Sequence, residues 1–187
     1  MFVFQSCNLF PHLTARDNVA LAPVLLKKSS KREMHERADK LLSSVGLADK
    51  AHHLPTDLTQ IEMRKLELAR AMAAEPSLLI ADEAMAGLSH QEVDDILALL
   101  MRLNEQQGVT IVMIEHIMRA VMHFSQRLVV LVAGRKIADG DPADIVRQED
   151  VVAAYLGSSS HALRPRFRLR PRAVAAGRIA PCPGGGT

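Results

Sequence analysis

Aromatic residues are scarce in this chain, at 3% of 187 residues, with one tyrosine and no tryptophan. That is too few for a base-stacking platform on single-stranded nucleic acid. Cysteine is scarcer still. Cys7 and Cys182 sit near opposite ends with no paired spacing, so neither a disulfide framework nor a CxxC metal site is suggested. No run approaches the roughly 18 uninterrupted apolar residues of a membrane-spanning helix. The opening MFVFQSCNLFPHL has no basic stretch ahead of its apolar residues, so neither a signal peptide nor an anchor is expected, and a reducing cytoplasm fits. What is present, 48% apolar and 24% charged residues, is the balance of a globular chain with a buried core.

Charge is unevenly spread. The segment 158–187 holds six arginines and no acidic residue, so a whole-chain net charge of +2 leaves −4 on residues 1–157. This tail is rich in Arg, Pro, Ala and Gly and has no apolar period, so disorder is expected over 158–187. A basic cluster of this kind suits nucleic acid or anionic lipid, and it describes a solvated or accidental extension at least as well. The acidic remainder gives no support to nucleic-acid binding, and none is expected.

Within residues 1–157 the apolar pattern alternates between periods. Met34, Ala38, Leu41, Leu42 and Val45 recur at three and four residues, which predicts a helix over 31–45 with Gly46 beyond its end. A second helix is expected over 66–74. Ser77 to Ala81 reads as a strand buried on both faces, and it ends at Asp82 and Glu83. A helix over 90–106, stopped at Gly108, leads to a β-branched strand over 109–114. A helix near 117–124, a strand over 128–133, a turn at Gly134 and Arg135, a short strand over 136–138 and two terminal helices follow. Strand and helix in alternation predict an α/β fold with a mostly parallel sheet, whose function sits at the carboxyl ends of the strands.

The chemistry concentrates in LLIADEAMAGL, where an apolar strand delivers two adjacent carboxylates to its end. Burying both without partners is costly. A hard cation such as Mg²⁺ offsets one, and the other accepts a proton from water, which suits phosphoryl transfer to water. Alone, the same pattern also describes a strand ending in a solvated acidic turn.

Four further segments change that weighing, because with it they recur in one order. FQSCNLFPHLTARDNV, LTQIEMRKLELARAM, LLIADE, AGLS and IEH together resemble the nucleotide-binding subunit of an ATP-binding-cassette transporter, over Phe4 to roughly Gly157. The resemblance implies part of a P-loop NTPase (RecA-like) three-layer core with the family's helical subdomain. The division it implies is 1–75 for the Q-loop and helical subdomain, 76–157 for the carboxyl-terminal half of the ATPase core, and 158–187 for the tail.

It also implies roles. Gln5 would reach the metal and the attacking water, Asp82 would associate with Mg²⁺, Glu83 would be the general base, and His116 would contact the γ-phosphate of ATP. Leu58 with Thr59, Gln60, Ile61 and Glu62 stands in the signature position, facing a nucleotide in trans. Ser89 closes the D-loop, which communicates across a dimer. The implied partners are membrane permease subunits and a second ATP-binding subunit, at the inner face of the cell membrane. The details FQ…LFPHLT…DNV, DEAMAGL, EHIMRAVM and AYLG look like the branched-chain amino-acid branch.

The chain departs from the family pattern in ways that bear on activity. No GxxxxGK[ST] occurs in it. That loop supplies backbone amides, a helix N-terminus and a lysine to the phosphates, so its absence removes the main source of ATP affinity, and an N-terminal truncation is the expectation. An exposed sheet edge and apolar surface should accompany it. Gln60 and Ile61 occupy signature glycine positions, and Glu62 adds negative charge where a polyphosphate would lie. Ala84 stands for the usual proline, and Ser89 for an aspartate. An ATPase subunit continued upstream, a non-catalytic docking or regulatory partner of a transporter, and a non-functional remnant all fit these departures.

Overall fold

In the computed structural model, residues 2–3, 9–25 and 30–156 are described. Gln5, both cysteines and the tail over 158–187 lie outside them. The chain begins with β1 (Phe2–Val3), then three helices, α1 (Ala15–Leu25), α2 (Lys31–Ser44) and α3 (Gln60–Ala73). Next come β2 (Leu78–Asp82), α4 (His90–Gln107), β3 (Thr110–Ile114) and α5 (Met118–Phe124). The hairpin β4 (Leu128–Val132) and β5 (Arg135–Gly140) and the short helices α6 (Pro142–Ile145) and α7 (Glu149–Leu156) complete it.

Three helices start on the same device. Ser30, Thr59 and Ser89 are N-caps, and the glutamates three residues on, Glu33, Glu62 and Glu92, return their carboxylates to the cap backbone N–H. For α3 this places the start at Gln60, six residues before the apolar periodicity suggested, because the cap and not the first leucine opens the helix. α2 closes on Gly46 at φ 76°, with Gly46 N–H donating to Ser43 O (3.1 Å) and Leu47 N–H to Leu42 O (2.8 Å). That is a Schellman ending, and Leu42 and Leu47, both buried, supply its apolar contact. Gly108 ends α4 in the left-handed region at φ 65°.

The main sheet is parallel, in the order β1-β2-β3, with Asp82 opposite Ile114 in register. A parallel pair needs a long crossover, and α4 provides it. The strand over 128–133, expected to extend this sheet, instead pairs antiparallel with β5 in a separate two-stranded sheet. Its two-residue turn explains the reversal: Ala133 and Gly134 both have positive φ, 47° and 78°, as a type I′ hairpin turn requires.

One apolar cluster runs through α1, α2, α3, β2, α4 and into α5, with Leu42, Leu66, Leu79 and Leu100 fully buried. A smaller one joins Ala138, Ile145 and Val151. β2 is not buried on both faces. Leu79 and Ala81 are enclosed, but Leu78 is 41% exposed, and on β3 Val112 and Ile114 are 44% and 51% exposed. Among the described residues nothing covers that second face, so an apolar surface lies open there, and Leu131 on β4 is 66% exposed. No helix among the described residues is long and apolar enough to cross a membrane.

Candidate functional site

The parallel register of β2 and β3 brings a pair of carboxylates and an acidic-basic pair to one edge. Asp82 is the last residue of β2, Glu83 follows it, and Glu115 and His116 follow Ile114 at the end of β3. Asp82 and Glu83 are half-buried and His116 is exposed. Glu83 sits at φ 46°, a left-handed conformation that costs a non-glycine residue about 1–3 kcal/mol unless its surroundings impose it. They do so here: Glu83 N–H donates to Ile114 O at 2.9 Å, and two residues on, Met85 N–H donates to Glu115 Oε1 at 3.0 Å.

Glu115 is the residue that sequence reasoning passed over, although it lies inside the IEH motif. Its Oε2 is buried without a hydrogen-bond partner. Partial burial pushes its carboxyl above the usual carboxylate range, against the donated Met85 N–H and the charge and backbone of neighbouring His116, while Glu83 adds to the upward push. The Glu83 carboxylate thus bears on Glu115 at this edge. Polarity and a preset loop are what a water-activating site needs.

The start of α3 belongs to the same edge. Gln60 Nε2 donates to Ala86 O at 3.0 Å, which joins the segment 59–62 to the loop after β2. Glu62 does not extend its charge freely. Its Oε2 accepts Thr59 N–H at 2.8 Å and its Oε1 lies 3.9 Å from Lys50 Nζ, and the Thr59 backbone hydrogen bond holds its carboxyl below the usual range. Ser89 is committed to capping α4. Asp82, Glu83, Glu115, His116 and the start of α3 are therefore assembled together, while Gln5 falls outside the described residues.

No group of three or more His, Cys, Asp or Glu side chains among the described residues is arranged to hold a metal by itself. A lone strand-end carboxylate is nevertheless an apt Mg²⁺ contact, since Mg²⁺ in phosphoryl-transfer sites takes one or two carboxylates and fills its shell with water and substrate phosphate.

The chain matches the family model described as ABC transporter over residues 1–86, and one described as branched-chain amino acid ATP-binding cassette transporter over 135–161. It is 39% identical to the methionine import ATP-binding protein MetN of Rhizobium etli, covering 88% of this chain and 45% of that protein. It is 36% identical to the high-affinity branched-chain amino acid transport ATP-binding protein BraF of Pseudomonas aeruginosa, covering 83% of this chain and 67% of the relative. The glutamate transport ATP-binding protein GluA of Corynebacterium efficiens is 36% identical, with 83% and 64% covered. The chain thus spans between about half and two thirds of these relatives. Among solved structures, an ATP-binding cassette dimer in a post-hydrolysis state bound to ADP and Pi superposes with a TM-score of 0.67 at 32% identity, covering 75% of this chain and 62% of that one. The α/β architecture with a mostly parallel sheet is that of such cassettes. By sequence and by fold, the chain belongs to the ATP-binding-cassette transporter family.

Proposed function

We propose that this chain is the metal-, base- and switch-bearing part of an ATP-binding subunit that couples ATP hydrolysis to amino-acid import. The observation that carries the reading is the register of Asp82 opposite Ile114, which sets Asp82–Glu83 and Glu115–His116 side by side at the carboxyl edge of a parallel sheet. ATP and Mg²⁺ supply the phosphoryl group and the cation that neutralises its charge. Asp82 holds the cation's side of the site, Glu83 accepts a proton from the attacking water, and His116 faces the γ-phosphate. Gln5 relays between that water and the permease. Glu115 keeps the Glu83 loop in place by accepting Met85 N–H.

Residues 59–62 and Ser89 face a second ATP-binding subunit, and the helices α1 and α2 dock the permease at the inner face of the membrane. Branched-chain amino acids are the proposed cargo class. The branched-chain match over 135–161 and the 36% identity to BraF support that choice, against relatives named for methionine and glutamate. The 187 residues contain no GxxxxGK[ST], so by themselves they do not hold ATP.

The test is MgATP turnover by a chimera in which residues 1–187 follow the phosphate-loop segment of the methionine-import relative. Glu83→Gln is expected to cut turnover by at least about a hundredfold, the ordinary contribution of a general base. A chimera that turns over ATP equally well with Gln at this position removes Glu83 from the role.

A further inference from the structure

Gln60, which stands where the family pattern has glycine, makes a contact that glycine cannot. Gln60 is the first residue of α3, yet its amide crosses to Ala86 O at 3.0 Å, 26 residues on in sequence. It also packs closely against Gly87. A Cβ at Gly87 would stand 2.5 Å from Gln60 Nε2, 3.3 Å from its Cδ and 3.4 Å from its Oε1. A side chain at Gly87 would push the Gln60 amide aside, and the φ of +78° independently favours glycine there.

The loop that Gln60 meets is the one that carries Glu83. It is pinned at its start by Ile114 O, at its middle by Glu115 and at its tip by Gln60. Two of those pins belong to the end of β3. The third is the only one of them that ties the loop to the helical part of the chain. Within the loop, Ala86 N–H donates to Glu83 O and Leu88 N–H to Met85 O, so displacement at the tip is passed back toward Glu83 through short turns.

We propose that Gln60 is a positioning residue: its side chain clamps the Ala86–Gly87 turn to the first turn of α3, so that the Glu83 loop and the segment 59–62 move as one body. A contact made at the start of α3 is then felt at Glu83. The importance of that coupling for turnover rests on the functional reading above, but the clamp itself does not, because it is measured without nucleotide.

Amide hydrogen exchange of the full 187-residue chain tests it, read on the peptide spanning Glu83 to Ser89. Gln60→Ala is expected to speed exchange there roughly three- to tenfold, the range set by one net hydrogen bond, with exchange in α4 unchanged. Gln60→Glu keeps the volume and loses the donor, and should be as fast as Gln60→Ala. Gln60→Lys keeps an N–H donor of similar reach and should restore slow exchange. Wild-type exchange in both Gln60→Ala and Gln60→Glu overturns the clamp. Fast exchange in Gln60→Ala with slow exchange in Gln60→Glu reduces it to space filling, and also overturns it. A double-mutant cycle gives a second reading: Gly87→Ala should destabilise less in the Gln60→Ala background, where only the φ strain remains. Strict additivity of the two substitutions would overturn the contact.

Discussion

Replacing Asn18 should be among the most damaging single changes outside the apolar core. Asn18 is completely buried. Its Oδ1 accepts Phe10 N–H at 2.8 Å, and its Nδ2 donates to Phe10 O (3.1 Å), Leu13 O (3.0 Å) and Thr14 O (3.1 Å). One side chain thereby closes the loop that leads into α1. Each orphaned buried group costs about 1–3 kcal/mol, and two or more are orphaned by Asn18→Ala, but Phe10, Pro11 and His12 are exposed, so water reaches part of the loop. The expected loss is about 3 kcal/mol, or about 6–12 °C in Tm for a domain of this size. Asn18→Asp tests the polarity of the arrangement. It retains the acceptor for Phe10 N–H but turns an ionised oxygen toward three carbonyls, and should be worse than alanine at neutral pH. The assay is urea unfolding followed by far-UV circular dichroism, with an unchanged m-value required for the comparison. A loss under about 0.5 kcal/mol for Asn18→Ala, the size of an ordinary surface substitution, would show that the loop is held by something else. Asn18→Asp milder than alanine would refute the donor assignment.

Further outcomes follow from the caps, the raised carboxyl and the open strand. Thr59→Ala should cost about 1 kcal/mol of unfolding free energy in the same assay, as N-cap losses do. Glu62 has a depressed folded pKa, so its stabilisation is present above the ordinary carboxylate value of 4.5 and is lost as pH falls through the lower folded value. Glu62→Gln should therefore flatten the acid limb of a stability-against-pH curve. Glu115 has the opposite sign. Its folded pKa lies above 4.5, so wild-type stability falls as pH rises from there through the folded value. Glu115→Gln keeps an oxygen for Met85 N–H, and its stability advantage over wild type should grow with pH across that window. Leu131→Lys, at a position 66% exposed, should leave unfolding within about 0.5 kcal/mol of wild type while lowering self-association in light scattering.

The elements that were legible in the sequence are those with a strong local cause. β2 and β3 are short β-branched or apolar runs, α4 is bounded by Ser89 and Gly108, and Gly46 marks the end of α2. α3 starts ahead of its apolar periodicity because Thr59-x-x-Glu62, which also stands in the signature position, is a capping box, and the cap decides the helix. The partner of β4 was not legible from its own residues. A strand's composition does not state whether its neighbour is parallel, and the deciding signal was the two-residue turn at Ala133–Gly134. Expected burial of β2 on both faces assumed helices on each side of the sheet, and the described residues cover one. At the candidate site, Asp82 and Glu83 stand out as adjacent carboxylates at a strand end, and His116 only through the resemblance of IEH to the family's motif. Glu115 does not stand out, since its role comes from reaching Met85 across 30 residues of chain. Gln60 was read as a loss of glycine, and its hydrogen bond to Ala86 exists only in three dimensions.

The central claim is that these residues carry the metal, base and switch side of an ATP site and depend on a phosphate loop for affinity. Equilibrium titration with MgATP tests it most directly, comparing the 187-residue chain alone with the phosphate-loop chimera. The chain alone should show no saturable binding through the micromolar range, and the chimera should bind in that range. Micromolar binding by the chain alone would contradict the account.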